Sequence, residues 1–137
     1  MRIGFALLTL FSLSCLAGDT QPPLENVVGD AQMGMQIFND RDRGHCVLCH
    51  RVSNNPAPFQ GNIGIPLDGI ATRLTAGQLR YRIIDSSRLN PETVMPAYHK
   101  TDGLTQVQSS YRDQPILSAT EIEHLVSYLL TLTEVHQ

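Results

Sequence analysis

The chain has 137 residues, with 10 Lys and Arg against 13 Asp and Glu, a formal net charge of −3 and 42% apolar residues. That length supports one core of ordinary size, and the acidic balance excludes a nucleic-acid face built on clustered cations. Lys100 is the only lysine, which excludes steering through a lysine ring and leaves the arginines to make fixed, bidentate contacts.

In chain order, Met1-Arg2 and the apolar run Ile3 to Leu13 have the form of an export signal, with small residues at Cys15-Leu16-Ala17 for a cut before Gly18. The run is too short for a permanent span, so no stable membrane span is expected. The alternative is a lipid anchor on Cys15, against which Ser12 stands where lipoprotein signals usually carry an aliphatic residue. Residues 1–17 are thus read as a signal peptide, 18–29 as a flexible leader with Pro22-Pro23, and 30–137 as one domain.

Asp30 can cap a helix to about Asn39, with Ala31, Gly34, Ile37 and Phe38 on one face. A mid-helix glycine costs about 1 kcal/mol relative to Ala, so Gly34 points to a close helix crossing that Phe38 would fill. Cys46-Val47-Leu48-Cys49-His50 is a C-x-x-C-H box. Two thiols on one helical turn followed by an imidazole suit two thioether bonds to a haem, with His50 binding its iron through a neutral nitrogen. A zinc ribbon would need a second Cys or His pair, and the chain has no other CxxC. A thioredoxin-like pair needs a βαβ pattern, and a plain disulfide leaves the histidine unexplained. The box therefore predicts one covalent haem c and its iron. His45, beside it, is placed to face solvent.

Residues 52–69 read as loop, with apolar residues able to line a haem. The Pro66 carbonyl can accept a hydrogen bond from a ligand histidine, or Pro66 is simply a rigid turn. Thr75 to Gln78 forms a capping box for a helix to about Asp85, with Leu79 and Ile83 inward. Arg73, Arg80, Arg82 and Arg88 around it read as a solvated face, the alternative being a partner or propionate contact by one of them. Met95 comes from a non-helical loop between Pro91 and Pro96, and a soft thioether suits the sixth position of a haem iron. His99 is the rival ligand; Met33 and Met35 fall in the first helix. Ser118 to Glu121 is a second capping box, opening an amphipathic helix with Ile122, Leu125, Val126, Leu129 and Leu130 on one face and His124 on the polar side.

The Gly34/Phe38 helix, the box, Pro66, the Met95-Pro96 loop and the amphipathic last helix together resemble class I cytochrome c. The resemblance implies an all-α fold wrapped around one haem, with Pro66 orienting His50 and Met95 closing the other face. Three strings, Gly61 to Leu67, Leu74 to Arg80 and Asn90 to Tyr98, look more specifically like SoxX. That is the small monohaem subunit of the SoxAX complex of periplasmic thiosulfate oxidation, an L-cysteine S-thiosulfotransferase. The resemblance implies a SoxA-type haem partner, a SoxYZ-type carrier whose cysteine receives thiosulfate, and a downstream cytochrome acceptor. The chain itself would relay electrons through a His50/Met95 haem. With Cys46 and Cys49 committed to haem, it would hold no thiol for making sulfur–sulfur bonds. A free periplasmic electron shuttle and a haem-based gas sensor are the competing functions.

Overall fold

The backbones of two helices meet at Gly34. In the computed structural model, which describes residues 18–134, a Cβ on Gly34 would lie 2.0 Å from the His124 carbonyl oxygen and 2.7 Å from Tyr128 Cβ. Helix α1 (Ala31–Asn39) therefore packs on α4 (Ala119–Leu129) in backbone contact. Phe38, fully buried, fills the space beside the crossing with its ring edge-on to Tyr128 at 5.4 Å. Between these helices lie α2 (Ile70–Arg73), α3 (Ala76–Ile84) and single 3₁₀ turns at Cys46–Leu48, Ser86–Arg88 and Ser109–Tyr111. Among the described residues there is no strand, as the all-α expectation requires.

The helix starts follow local side-chain chemistry. Asp30 Oδ1 accepts from the Met33 N–H at 2.9 Å. The capping boxes at Thr75/Gln78 and Ser118/Glu121 both form in full, side chain to backbone in each direction. On α4, Ile122, Leu125, Val126 and Leu129 are buried in the predicted stripe; Leu130 is exposed because the helix stops before it.

The leader does not hang free. Gln21 donates its N–H to the Gly77 carbonyl at 3.0 Å, Leu24 donates to Glu123 Oε1 at 3.3 Å, and Thr120 donates to Glu25 at 2.8 Å. The cause is an ion pair the charge pattern did not reveal. Arg80 and Glu123, both buried, meet through two bonds of 2.7 Å. A buried guanidinium needs its remaining N–H groups satisfied, and the Gln21 carbonyl takes Nη1 at 2.7 Å. Arg80 thus corrects the solvated-face reading, and residues 21–25 of the leader are held against the domain.

His124 is half-buried, and its Nδ1 accepts the Asp30 N–H at 2.9 Å. The expected signal peptide, Cys15 included, lies outside the described residues. Among the described residues no helix is long and apolar enough to cross a membrane.

Candidate functional site

The C-x-x-C-H box forms one tight turn. His45 enters it in the left-handed region (φ 44°), a conformation histidine tolerates better than most side chains. Cys49 and His50 then donate their N–H groups to the Cys46 carbonyl at 3.1 and 2.9 Å. Val47 turns inward and Leu48 outward, while Cys46, Cys49 and His50 line a cavity of about 500 Å³. His45, expected to face solvent, is half-buried and contributes to the same lining.

The following loop lies directly on this turn. A Cβ on Gly61 would sit 1.8 Å from the Leu48 carbonyl oxygen, and one on Gly64 would sit 2.4 Å from the His50 ring. Only glycine permits this approach. The approach brings a carbonyl to His50 Nδ1 at 2.8 Å, and that carbonyl belongs to Ile65, not to Pro66. The Pro66 carbonyl instead accepts from Arg73 Nη2 at 3.2 Å, and Pro66 does not line the cavity, so its expected role falls to its neighbour. Proline restricts the residue before it to extended backbone, and here that residue's oxygen faces the ring. Since a carbonyl can only accept, Nδ1 carries the proton and Nε2 is left with the lone pair.

The opposite wall comes from α3 and the loop after it. Tyr98 and His99 donate their N–H groups to the Ile83 and Ile84 carbonyls at 3.1 and 3.2 Å, folding the Met95 loop back against the end of α3. The Tyr98 hydroxyl donates to the Gly44 carbonyl at 2.7 Å and so clasps this loop to the residue two before Cys46. Burial, with the nearby cysteines, pushes the Tyr98 phenol well above its usual range, so it remains a donor. Met95 is half-buried and lines the cavity, where His50 also lies. The rival His99 does not line it; its Nδ1 donates to the Leu117 carbonyl at 2.7 Å. Neither Met33 nor Met35 reaches the cavity.

Phe38, Leu79, Ile83, Leu125 and Leu129 give the cavity an apolar lining drawn from the main core. Two thiols, an imidazole with its second nitrogen already engaged, and a thioether fit a covalently held haem with nitrogen and sulfur axial ligands. They fit zinc poorly: among the described residues no group of three or more His, Cys, Asp or Glu could hold a metal. Burial pushes the Cys46 thiol up to about 12.

The sequence missed Ile65 and Tyr98. Pro66 marked the correct turn, but not which of two adjacent carbonyls meets the imidazole. Tyr98 entered only as the end of the Asn90 to Tyr98 string, and nothing local points to its partner 54 residues away.

The cytochrome c family model matches residues 31–133. Among solved structures, the chain is similar to SoxXA from P. pantotrophus at 34% identity, covering 83% of this chain and 89% of that chain with a TM-score of 0.77. It is also similar to the c-type cytochrome SorU from Sinorhizobium meliloti at 24% identity, covering 75% and 90% with a TM-score of 0.49. A comparison with curated proteins finds no match.

Proposed function

This chain belongs to the cytochrome c family, is of the SoxX type and carries a covalent haem c with its iron, and on that premise we propose which residues hold the haem and what the haem is for. Cys46 and Cys49 would hold it through thioether bonds, and His50 and Met95 would bind its iron. The observation that carries this is that all four side chains share one cavity while His50 Nδ1 is occupied by the Ile65 carbonyl. When bound, the haem supplies one-electron uptake and release at its iron. The chain supplies the rest: the Ile65 carbonyl fixes the imidazole tautomer, the Met95 thioether favours the reduced iron, and the apolar walls exclude water.

The proposed role is electron transfer in sulfur oxidation, as the redox subunit of a SoxAX-type L-cysteine S-thiosulfotransferase in the periplasm. Joining thiosulfate to a carrier-protein thiol forms a sulfur–sulfur bond and releases two electrons and a proton. A SoxA-type haem subunit is the partner at which this occurs, on a SoxYZ-type carrier. The chain accepts the electrons one at a time and passes them to a further cytochrome. Support comes from the cysteines: among the described residues only Cys46 and Cys49 occur, and both are committed to haem, leaving no nucleophile. Further support is that Lys100 is spent on Asp85 at 3.1 Å, while Leu48 of the box is exposed outside the cavity. Such a surface suits a lasting subunit contact better than charge-steered encounter.

Two measurements test this. Purified from its thiosulfate-grown host, the tagged chain should bring a second haem-stained band in fixed proportion on a denaturing gel; a single band at this chain's size would favour the free shuttle. In the holoprotein, Met95→Leu should lower the reduction potential and remove the ferric charge-transfer band of a methionine-ligated haem. Unchanged spectrum and potential would exclude Met95 as ligand.

A further inference from the structure

The cavity lining is not uniform. Its polar side chains away from the C-x-x-C-H box gather on one stretch, Arg82, Ser86, Asn90 and Thr93, which runs from α3 through the 3₁₀ turn into the Met95 loop. Four arginines cluster around this stretch, and three are committed elsewhere. Arg80 is held in the buried pair with Glu123. Arg73 donates to the Pro66 and Asp68 carbonyls. Arg88 lies over the Tyr81 ring at 5.3 Å, with Asp85 at 3.9 Å. Arg82 alone of the four lines the cavity. Among the described residues it bonds only the Gln78 carbonyl of its own helix, through Nη1 at 3.0 Å, and pairs with no carboxylate.

On a porphyrin of the haem type, the vinyl groups and the two propionates occupy opposite edges. If the vinyl edge is held by Cys46 and Cys49, the anionic edge faces a wall that the box does not supply. A guanidinium without a carboxylate partner, lining the same cavity as a hydroxyl and an amide, is the donor set a carboxylate requires.

We propose that Arg82 is the propionate-binding cation of this cavity, with Ser86 and Asn90 completing the polar edge, and that it positions the haem and raises its reduction potential. The inference rests on the haem reading of the cavity. Propionate anions near the iron favour its oxidised form; an adjacent fixed cation offsets that charge. The other titratable side chains in the lining are His45, His50, Tyr98 and the two cysteines, all at the box or clasped to it.

The test uses the holoprotein and reads the reduction potential against pH. Arg82→Gln should lower the potential at neutral pH and move the propionate-linked step of the profile to higher pH. Arg82→Lys, keeping the charge, should restore most of both. Arg88→Gln removes an equal charge from the same stretch and should leave the profile near wild type. Ser86→Asp, which leaves Arg82 in place, should lower the potential by adding an anion at the same edge. An R82Q profile matching R88Q, or an S86D potential equal to wild type, would overturn the assignment. So would an R82Q protein with wild-type potential that no longer co-purifies with a haem partner, since Arg82 would then belong to an interface. A wild-type protein without covalent haem would instead refute the cavity reading itself, and that shows before any variant is compared.

Discussion

Substituting Gly34 by alanine sets two physical effects against each other. Helix propensity alone favours alanine by about 1 kcal/mol. The crossing opposes it: the new Cβ would stand 2.0 Å from the His124 carbonyl oxygen, where ordinary contact begins near 3.4 Å, so α1 must retreat from α4 by about 1.4 Å. The clash is with backbone, which no rotamer change relieves. A gap of 0.5–1 Å already forfeits a quarter to a half of a dispersion well. Removing a buried phenylalanine outright costs about 3–5 kcal/mol, so loosening Phe38 by half costs about 2, and losing its edge contact with Tyr128 adds about 1. The net is a destabilisation of about 2 kcal/mol, which at this chain length lowers Tm by roughly 8 °C. Urea titration of holoprotein, followed by far-ultraviolet circular dichroism, reads this directly, with an unchanged m-value showing that the unfolded state is the same. A G34A midpoint equal to or above wild type would mean that propensity governs and the crossing yields.

Other expectations concern buried charge. Arg80→Met strands Glu123 in the core and should cost about 3–5 kcal/mol, whereas the pair Arg80→Met with Glu123→Leu should recover most of that loss; equal destabilisation of the single and double variants in urea would refute the account. Hydrogen bonding from Ser87 to Asp85, aided by Lys100, holds the Asp85 carboxyl below its ordinary value. Its stabilising contribution is therefore full above the unfolded value near 4 and is lost as pH falls through the lower folded value. In Asp85→Asn, Tm measured against pH should fall less steeply below pH 4 than in wild type, and parallel profiles would refute the assignment.

What the sequence made legible was chemistry that acts within a few residues. Asp30, Thr75/Gln78 and Ser118/Glu121 cap the helices as expected because each cap needs only its own turn. The box and the Met95 loop were singled out by residue type and spacing, and their side chains line one cavity. Distance along the chain hid the rest. Arg80 finds its partner 43 residues away and Leu24 finds Glu123 99 residues away, so a Pro-Pro stretch that reads as loose becomes a docked strap. At Pro66 the miss was one residue, because proline constrains its own φ and its predecessor together, and only packing against Gly64 decides which oxygen meets the imidazole. His124 was misplaced for the same reason: polarity suggested water, but it found the Asp30 N–H 94 residues away.

The cavity draws its walls from opposite ends of the chain. Cys46, Cys49 and His50 lie in the first half, while Leu125 and Leu129 arrive on α4, the last helix. A polypeptide emerging N-terminus first therefore exposes both thiols long before the wall that encloses them exists. Closing so large a loop is entropically slow, although each further residue adds little to its cost. The topology thus sets an order of events. An open turn can take up a broad planar ligand before α4 docks against Gly34 and shuts it in.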